Sequence, residues 1–162
     1  MYNMYYFAYG SNMDINHFFQ YICQSNVKII GNAYIDDFIF RYRRVDTVKL
    51  RTGVANIERR KNSKTYGVVY SIDNNCIFTK LDQKEGFISE NNTSNKYHKI
   101  NIECTLLQSG KIVQCFTYQM NNYNELPEYA PRKQYLKFLE NGHKTHNLPK
   151  EHYKRIHYDP II

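Results

Sequence analysis

The chain has 162 residues, 42% of them hydrophobic, with 22 Lys and Arg against 15 Asp and Glu for a formal charge of +7. That length suits one domain, 1–162, with a sizeable core, and the apolar share excludes a disordered chain. No run approaches the roughly 18 apolar residues a membrane helix requires. The opening "MYNMYYFAYG" has neither a basic start nor a leader-length apolar stretch, so a cytoplasmic protein is expected.

Period-two alternation predicts a first strand near 4–9, ending in the polar turn Gly10-Ser11-Asn12. "DINHFFQYIC" follows with Ile15, Phe18, Phe19 and Ile22 at helical spacing. Strands are predicted near 27–34, 37–43, 53–59 and 65–72. A helix over "DNNCIFTKLDQKEG" is expected next, capped by Asp73 and stopped by Gly86. Two strands near 97–108 and 111–120 turn at "SGK", around Gly110. "RKQYLKFLENG" reads as a helix ending at Gly142, and a short last helix begins at Pro149. The sum is an α+β domain, a small mixed or antiparallel β-barrel with flanking helices.

Charge is concentrated. Between 41 and 64 lie Arg41, Arg43, Arg44, Lys49, Arg51, Arg59, Arg60, Lys61 and Lys64 against Asp46 and Glu58, which equals the net charge of the whole chain. A solvated hairpin and a patch for an anionic ligand, nucleic acid included, both fit. Arg41 and Arg43 share a strand face, so Arg41, Arg43 and Arg44 are the candidates for an anionic ligand. Cys23, Cys76, Cys104 and Cys115 form no CxxC pair and read as reduced core thiols. His143 and His146 lack further ligands at metal spacing, so a surface pair is expected rather than a metal site. No cofactor motif is present.

Two segments carry chemistry. If a strand ends at Tyr9 and a helix follows, the N–H groups of Gly10, Ser11 and Asn12 are free donors at a positive dipole end, suited to a carboxylate or oxyanion. A capped helix start is the simpler alternative. "LDQKEG" places Asp82 and Glu85 at i and i+3. Glu85 falls in the last helical turn, where the dipole disfavours negative charge, a setting for a general acid/base. A solvated acid before a glycine cap is the alternative.

Taken together, "YFAYGSNM", "GVANI", "YGVVYSI", "LDQKEG", "YQMNNY" and "QYLKFLENGHKTHNLPKEHYKRI" occur in the order seen in gamma-glutamylcyclotransferases. The resemblance spans about residues 5–156. It implies cyclisation of a gamma-glutamyl group to 5-oxoproline with release of the attached amino acid, a lyase reaction that needs no cofactor or metal. It makes Glu85 the catalytic acid/base and Tyr6, Tyr9, Gly10, Ser11, Asn12 and Tyr135 substrate-binding residues. The YFAYGSN form resembles the branch acting on gamma-glutamyl amino acids or amines rather than the glutathione-specific one. Two rival functions stand beside it: a gamma-glutamylamine cyclotransferase, and a polyanion binder using 41–64. "FISENNTSNK", 87–96, is longer than the family pattern, which leaves Tyr97 outside the expected site. An anionic or bulky leaving group facing Arg41 and Arg43 is expected. A homodimer is a further partner the sequence admits.

Overall fold

The strands predicted near 27–34 and 37–43 are one continuous strand, and those near 53–59 and 65–72 form its partner. The computed structural model describes residues 3–160, so the ends of the expected domain, 1–2 and 161–162, lie outside the described residues. Strands β1 (Asn3–Ala8), β2 (Val27–Thr47), β3 (Leu50–Asp73), β4 (Tyr97–Leu106) and β5 (Ile112–Met120) close a barrel in the order β1-β3-β2-β4-β5. Neighbours are antiparallel, except that β5 meets β1 in parallel at Phe116 and Tyr6. The expected barrel is therefore the observed one.

The gap between the predicted strands is a β-bulge. Register shifts between Asp36 and Phe38, Asp37 and Asn62 adopt φ of 60° and 63°, and Asn62 N–H donates to Asp37 Oδ1 at 2.9 Å. Two consecutive aspartates break the apolar alternation there, which reads in sequence as a turn; the extra residues bend the long hairpin without ending it.

Among the described residues four helices accompany the barrel: α1 (Ile15–Phe18), α2 (74–85), α3 (Lys133–His146) and α4 (Lys150–Ile156). α2 carries a wide turn over Ile77–Leu81 and ends in a left-handed glycine. Gly86 N–H bonds Gln83 O at 3.2 Å and Phe87 N–H bonds Asp82 O at 2.9 Å, the pairing that satisfies the last carbonyls of a helix. Helix α3 does not stop at Gly142 but runs one turn further, to Asn147 with φ of 50°. Gly142 is there for packing: a Cβ at that position would lie 2.5 Å from Met13 Cβ.

The abundance of tyrosine is a property of the core. Tyr42 and Tyr70 are fully buried, as are Phe7, Phe18 and Ile57. Each phenol finds an acceptor: Tyr42 OH donates to Ile156 O at 2.7 Å, Tyr70 OH to Asn12 O at 2.9 Å, and Tyr9 OH to Tyr118 O at 2.5 Å. A buried hydroxyl without a partner would cost roughly 1–3 kcal/mol, so these rings act both as core volume and as ties between elements. Cys104 and Cys115 are buried as expected; Cys23 is exposed, in the link before β2.

His152 on α4 is buried, its Nδ1 3.0 Å from Nδ1 of His143, while its Nε2 has no partner among the described residues. Burial, with His143 and His157 nearby, pushes its pKa down to about 3. The unfolded imidazole titrates near 6.5, so between those values the unfolded chain binds the extra proton. Stability from this group is complete above about pH 6.5 and falls as pH drops, by up to about 1.4 kcal/mol per unit. Melting temperature is expected to decline from pH 7.5 to 5.5, and His152→Phe to flatten that decline; an unchanged slope in thermal melts refutes the assignment.

Candidate active site

β1 delivers the chain to the end of the barrel, where it turns at Gly10 into a single tight turn, Ser11–Met13. The helix expected immediately beyond Tyr9 begins later: Asp14 caps α1, accepting from Asn16 N–H at 3.1 Å and His17 N–H at 3.2 Å. The positive helix end thus belongs to Asp14, which corrects the dipole expectation for Gly10. What survives of it is the set of free donors. The backbone N–H groups of Gly10, Ser11 and Asn12 have no acceptor among the described residues.

Several ties hold the turn. Tyr70 grips the Asn12 carbonyl from below, Asn141 of α3 donates to Asp14 Oδ2 at 2.9 Å, and His146 shares a 2.9 Å hydrogen bond with Met13 O. A Cβ on Gly10 would sit 3.2 Å from Ala55 Cβ and 3.5 Å from Tyr135 OH. The missing side chain lets β3, α3 and the turn converge.

The Schellman end of α2 places Glu85 opposite this turn. Asn12 Nδ2 donates to Glu85 Oε1 at 3.0 Å and to Tyr6 OH at 2.9 Å. Lys84 Nζ donates to Asn12 Oδ1 and stands 3.5 Å from Glu85 Oε1. One carboxylate oxygen is therefore fixed, while Glu85 Oε2 has no protein partner among the described residues. Asp82, the other acid of the pair, turns into the barrel instead. It accepts from Tyr118 OH and pairs with Lys99 Nζ at 2.8 Å, with the Lys99 ammonium against Phe78, Phe87 and Phe116.

All seven residues singled out in sequence, Tyr6, Tyr9, Gly10, Ser11, Asn12, Glu85 and Tyr135, line one cavity of about 40 Å³. Tyr97, Tyr118 and Ala55 complete it. Tyr97 was expected outside the site because of the long preceding loop. It lies inside because β4 begins at Tyr97 itself, and pairing with Met120 sets its position whatever the loop length.

Tyr97 OH donates to Ala55 O at 2.8 Å, and Tyr135 OH accepts from Ala55 N–H at 3.0 Å. The outer edge of β3 is thus satisfied by side chains. Burial, reinforced by the charge of Glu85, raises the pKa of Tyr6, Tyr9, Tyr97 and Tyr135, so these phenols stay protonated. Burial also lowers the pKa of Lys84, with Glu85 opposing the shift.

Lys84, Tyr97 and Tyr118 escaped sequence reasoning. Lys84 neighbours Glu85 on a helix, where side chains one apart ordinarily diverge; only the Ser11–Met13 turn, packed against this helix end, brings both to Asn12.

The arginines proposed for an anionic ligand are occupied. Arg43 is bidentate to Glu58, with Nε at 2.6 Å and Nη2 at 2.8 Å, and it also donates to Leu126 O at 2.8 Å. Arg41 pairs with Glu128 and lies 3.6 Å from Glu58, and Arg44 is 3.5 Å from Asp46. None of the three lines the cavity. Arg41 and Arg43 brace the hairpin against the segment before α3.

Comparison with known proteins agrees with this architecture. The chain is 29% identical to the gamma-glutamylcyclotransferase of Bos taurus over 154 residues, 93% of this chain and 76% of that protein. With the Homo sapiens gamma-glutamylcyclotransferase it shares 28% over the same length. A solved structure titled gamma-glutamyl cyclotransferase superposes with a TM-score of 0.83 at 24% identity, covering 99% of this chain and 90% of that one, which shows a common fold. The model of the AIG2-like family matches residues 64–156, more than half of the sequence and including Glu85 and Tyr135. With barrel, motif order and family match in agreement, the chain belongs to the AIG2-like family, among proteins of the gamma-glutamylcyclotransferase type.

Proposed function

We propose that the chain is a gamma-glutamylcyclotransferase that converts a gamma-glutamyl amino acid to 5-oxoproline and the free amino acid. One arrangement carries the reading: a carboxylate with a free oxygen, Glu85 Oε2, shares a cavity with the unpaired amides of the Gly10 turn. The substrate brings its own nucleophile, so no serine or cysteine is required. Its α-amino group is largely an ammonium at neutral pH and gives up one proton to solvent before the neutral amine attacks.

Glu85 takes a second proton as the now neutral α-nitrogen bonds to the γ-carbon. The carbonyl oxygen gains charge toward the Gly10–Asn12 donors. When the tetrahedral centre collapses, the amide C–N bond breaks and Glu85 returns the proton to the departing nitrogen. The departing amine leaves with two hydrogens and regains the proton given to solvent, so the reaction balances without a metal or redox partner. The ring-closing geometry supports the rate as well, since well-oriented intramolecular reactions reach effective molarities of about 10⁵–10⁸ M. Neutral tyrosines around the cavity supply hydrogen bonds without adding charge, and Asn12 holds the carboxylate aimed.

The test is mass spectrometry of products from gamma-glutamyl dipeptides. Release of 5-oxoproline in equal amount with the free amino acid is expected; its absence across the panel refutes the reading. Lys84→Met is expected to lower kcat/KM by roughly tenfold, the worth of one hydrogen bond from a charged donor. Thermal stability should hold or rise, because the variant removes a desolvated ammonium. A full-rate Lys84→Met enzyme would show that Asn12 needs no such anchor.

A further inference from the structure

Ser11, Glu85, Tyr97 and Tyr135 line more than the inner cavity. They also form the rim of an outer cleft of about 410 Å³, within the usual size for a small-molecule site. Glu85 therefore stands at the neck between two compartments. On the proposed reaction the γ-carbonyl must lie at that neck, with the glutamyl half inward. The group bonded to its nitrogen then has one way to go, out into the cleft.

The walls of the cleft are informative. Val45 and Val54 come from the β2–β3 hairpin, Met120 from the end of β5, and Leu126 from the segment before α3. Val45, Val54 and Leu126 are half-buried and Met120 is buried, so the face is neither sealed core nor fully wetted surface. The sole acid in the lining is Glu85, and the sole cation is Lys96, at the end of the long 87–96 segment. Among the described residues no carboxylate lies within ion-pair distance of Lys96, whereas Arg41, Arg43 and Arg44 are paired with carboxylates elsewhere. Lys96 is held in place by its stem, whose methylenes pack where a Cβ on Gly86 would be, 3.0 Å away. The loop that departs from the family pattern thus brings a cation to the edge of an apolar cleft next to the reacting carbon.

Resting on the cyclotransferase reading, we propose that this cleft is the leaving-group subsite and that it selects gamma-glutamyl conjugates of large apolar amino acids. The apolar side chain lies on Val54, Met120 and Leu126, and the α-carboxylate of the leaving amino acid pairs with Lys96. An acidic leaving group finds no second cation in the cleft. A leaving amine without a carboxylate leaves Lys96 unused.

The experiment measures kcat/KM for 5-oxoproline release from γ-glutamyl-leucine, γ-glutamyl-glycine, γ-glutamyl-glutamate and γ-glutamyl-isopentylamine, the last matching leucine without its carboxylate. The leucine conjugate is expected to exceed each of the others by about tenfold or more, since even one well-buried methylene is worth roughly 10-fold in a fitted pocket. Lys96→Met, at an exposed position where folding is not at risk, should bring the leucine conjugate down to the level of the amine conjugate. Leu126→Thr should narrow the gap between leucine and glycine. Equal rates across the panel, or a preference for glycine or glutamate, overturn the subsite while leaving the cyclotransferase reading intact. A Lys96→Met enzyme that still prefers leucine over isopentylamine tenfold overturns the role of Lys96. No 5-oxoproline from any conjugate refutes the underlying reading instead.

Discussion

Glu85→Gln is expected to lower kcat for 5-oxoproline release by roughly 10²–10⁴-fold, the usual share of a positioned acid/base, with KM little changed. The substitution keeps the shape of the side chain. Its amide oxygen can still accept from Asn12 Nδ2, which now stands 3.0 Å from Oε1. What disappears is the proton acceptor at Oε2, the oxygen that has no protein partner. A glutamine NH₂ there is a donor facing a substrate ammonium, which removes the base and sets two donors against each other. The variant should fold normally, because Glu85 sits at a helix end and none of the buried ties of the barrel runs through it. Residual turnover is expected to persist, since the orientation of the glutamyl chain is untouched. Comparing single-turnover and steady-state formation of 5-oxoproline in the two enzymes checks this. A kcat within threefold of the parent would remove Glu85 from proton transfer and leave the cavity as a binding site alone.

The site was legible in sequence where chemistry depends on neighbours along the chain. Gly10-Ser11-Asn12 had to be a turn, and Glu85 had to end a helix, because glycine follows it at a left-handed position. Strand positions were legible for the same local reason, alternation. What failed was whatever depended on partners far away. The bulge at Asp36–Asp37 broke the alternation and split one hairpin into four strands. Gly142 looked like a helix stop, since the reason for a glycine there is Met13, some 130 residues earlier. Arg41 and Arg43 were placed correctly on one face, yet whether two guanidinium groups are free or paired is decided by Glu58 and Glu128 across the fold. Tyr97 was judged by the loop before it, while its place was set by the strand it begins.

The second large effect concerns Gly142, and there the sign itself is the test. Gly→Ala inside an ordinary helix stabilises, by roughly 0.5–1 kcal/mol, because alanine loses less backbone entropy on folding. Position 142 lies inside α3, four residues short of its end, with helical neighbours on both sides. Propensity alone therefore predicts a more stable protein. Packing predicts the reverse: the new methyl would sit 2.5 Å from Met13 Cβ and 3.0 Å from the Met13 carbonyl carbon. The nearest obstacles are thus the first side-chain carbon of Met13 and its backbone, not the free end of a side chain, so they cannot swing aside. Overpacking of this kind costs about 1–3 kcal/mol, which outweighs the propensity gain. At this size a domain loses about 2–4 °C of melting temperature per kcal/mol, so Gly142→Ala is expected to melt several degrees lower. The strain falls on a functional element. To relieve it, α3 must back away from the Ser11–Met13 turn, loosening the His146–Met13 and Asn141–Asp14 hydrogen bonds that hold that turn. Tyr135, on the same helix, would shift from Ala55 with it. Catalysis at temperatures well below the melt should therefore fall by about tenfold or more, through weaker alignment of the Gly10 donors rather than through Glu85. A Gly142→Ala protein with raised melting temperature and full activity would mean that helix α3 does not set the position of the turn.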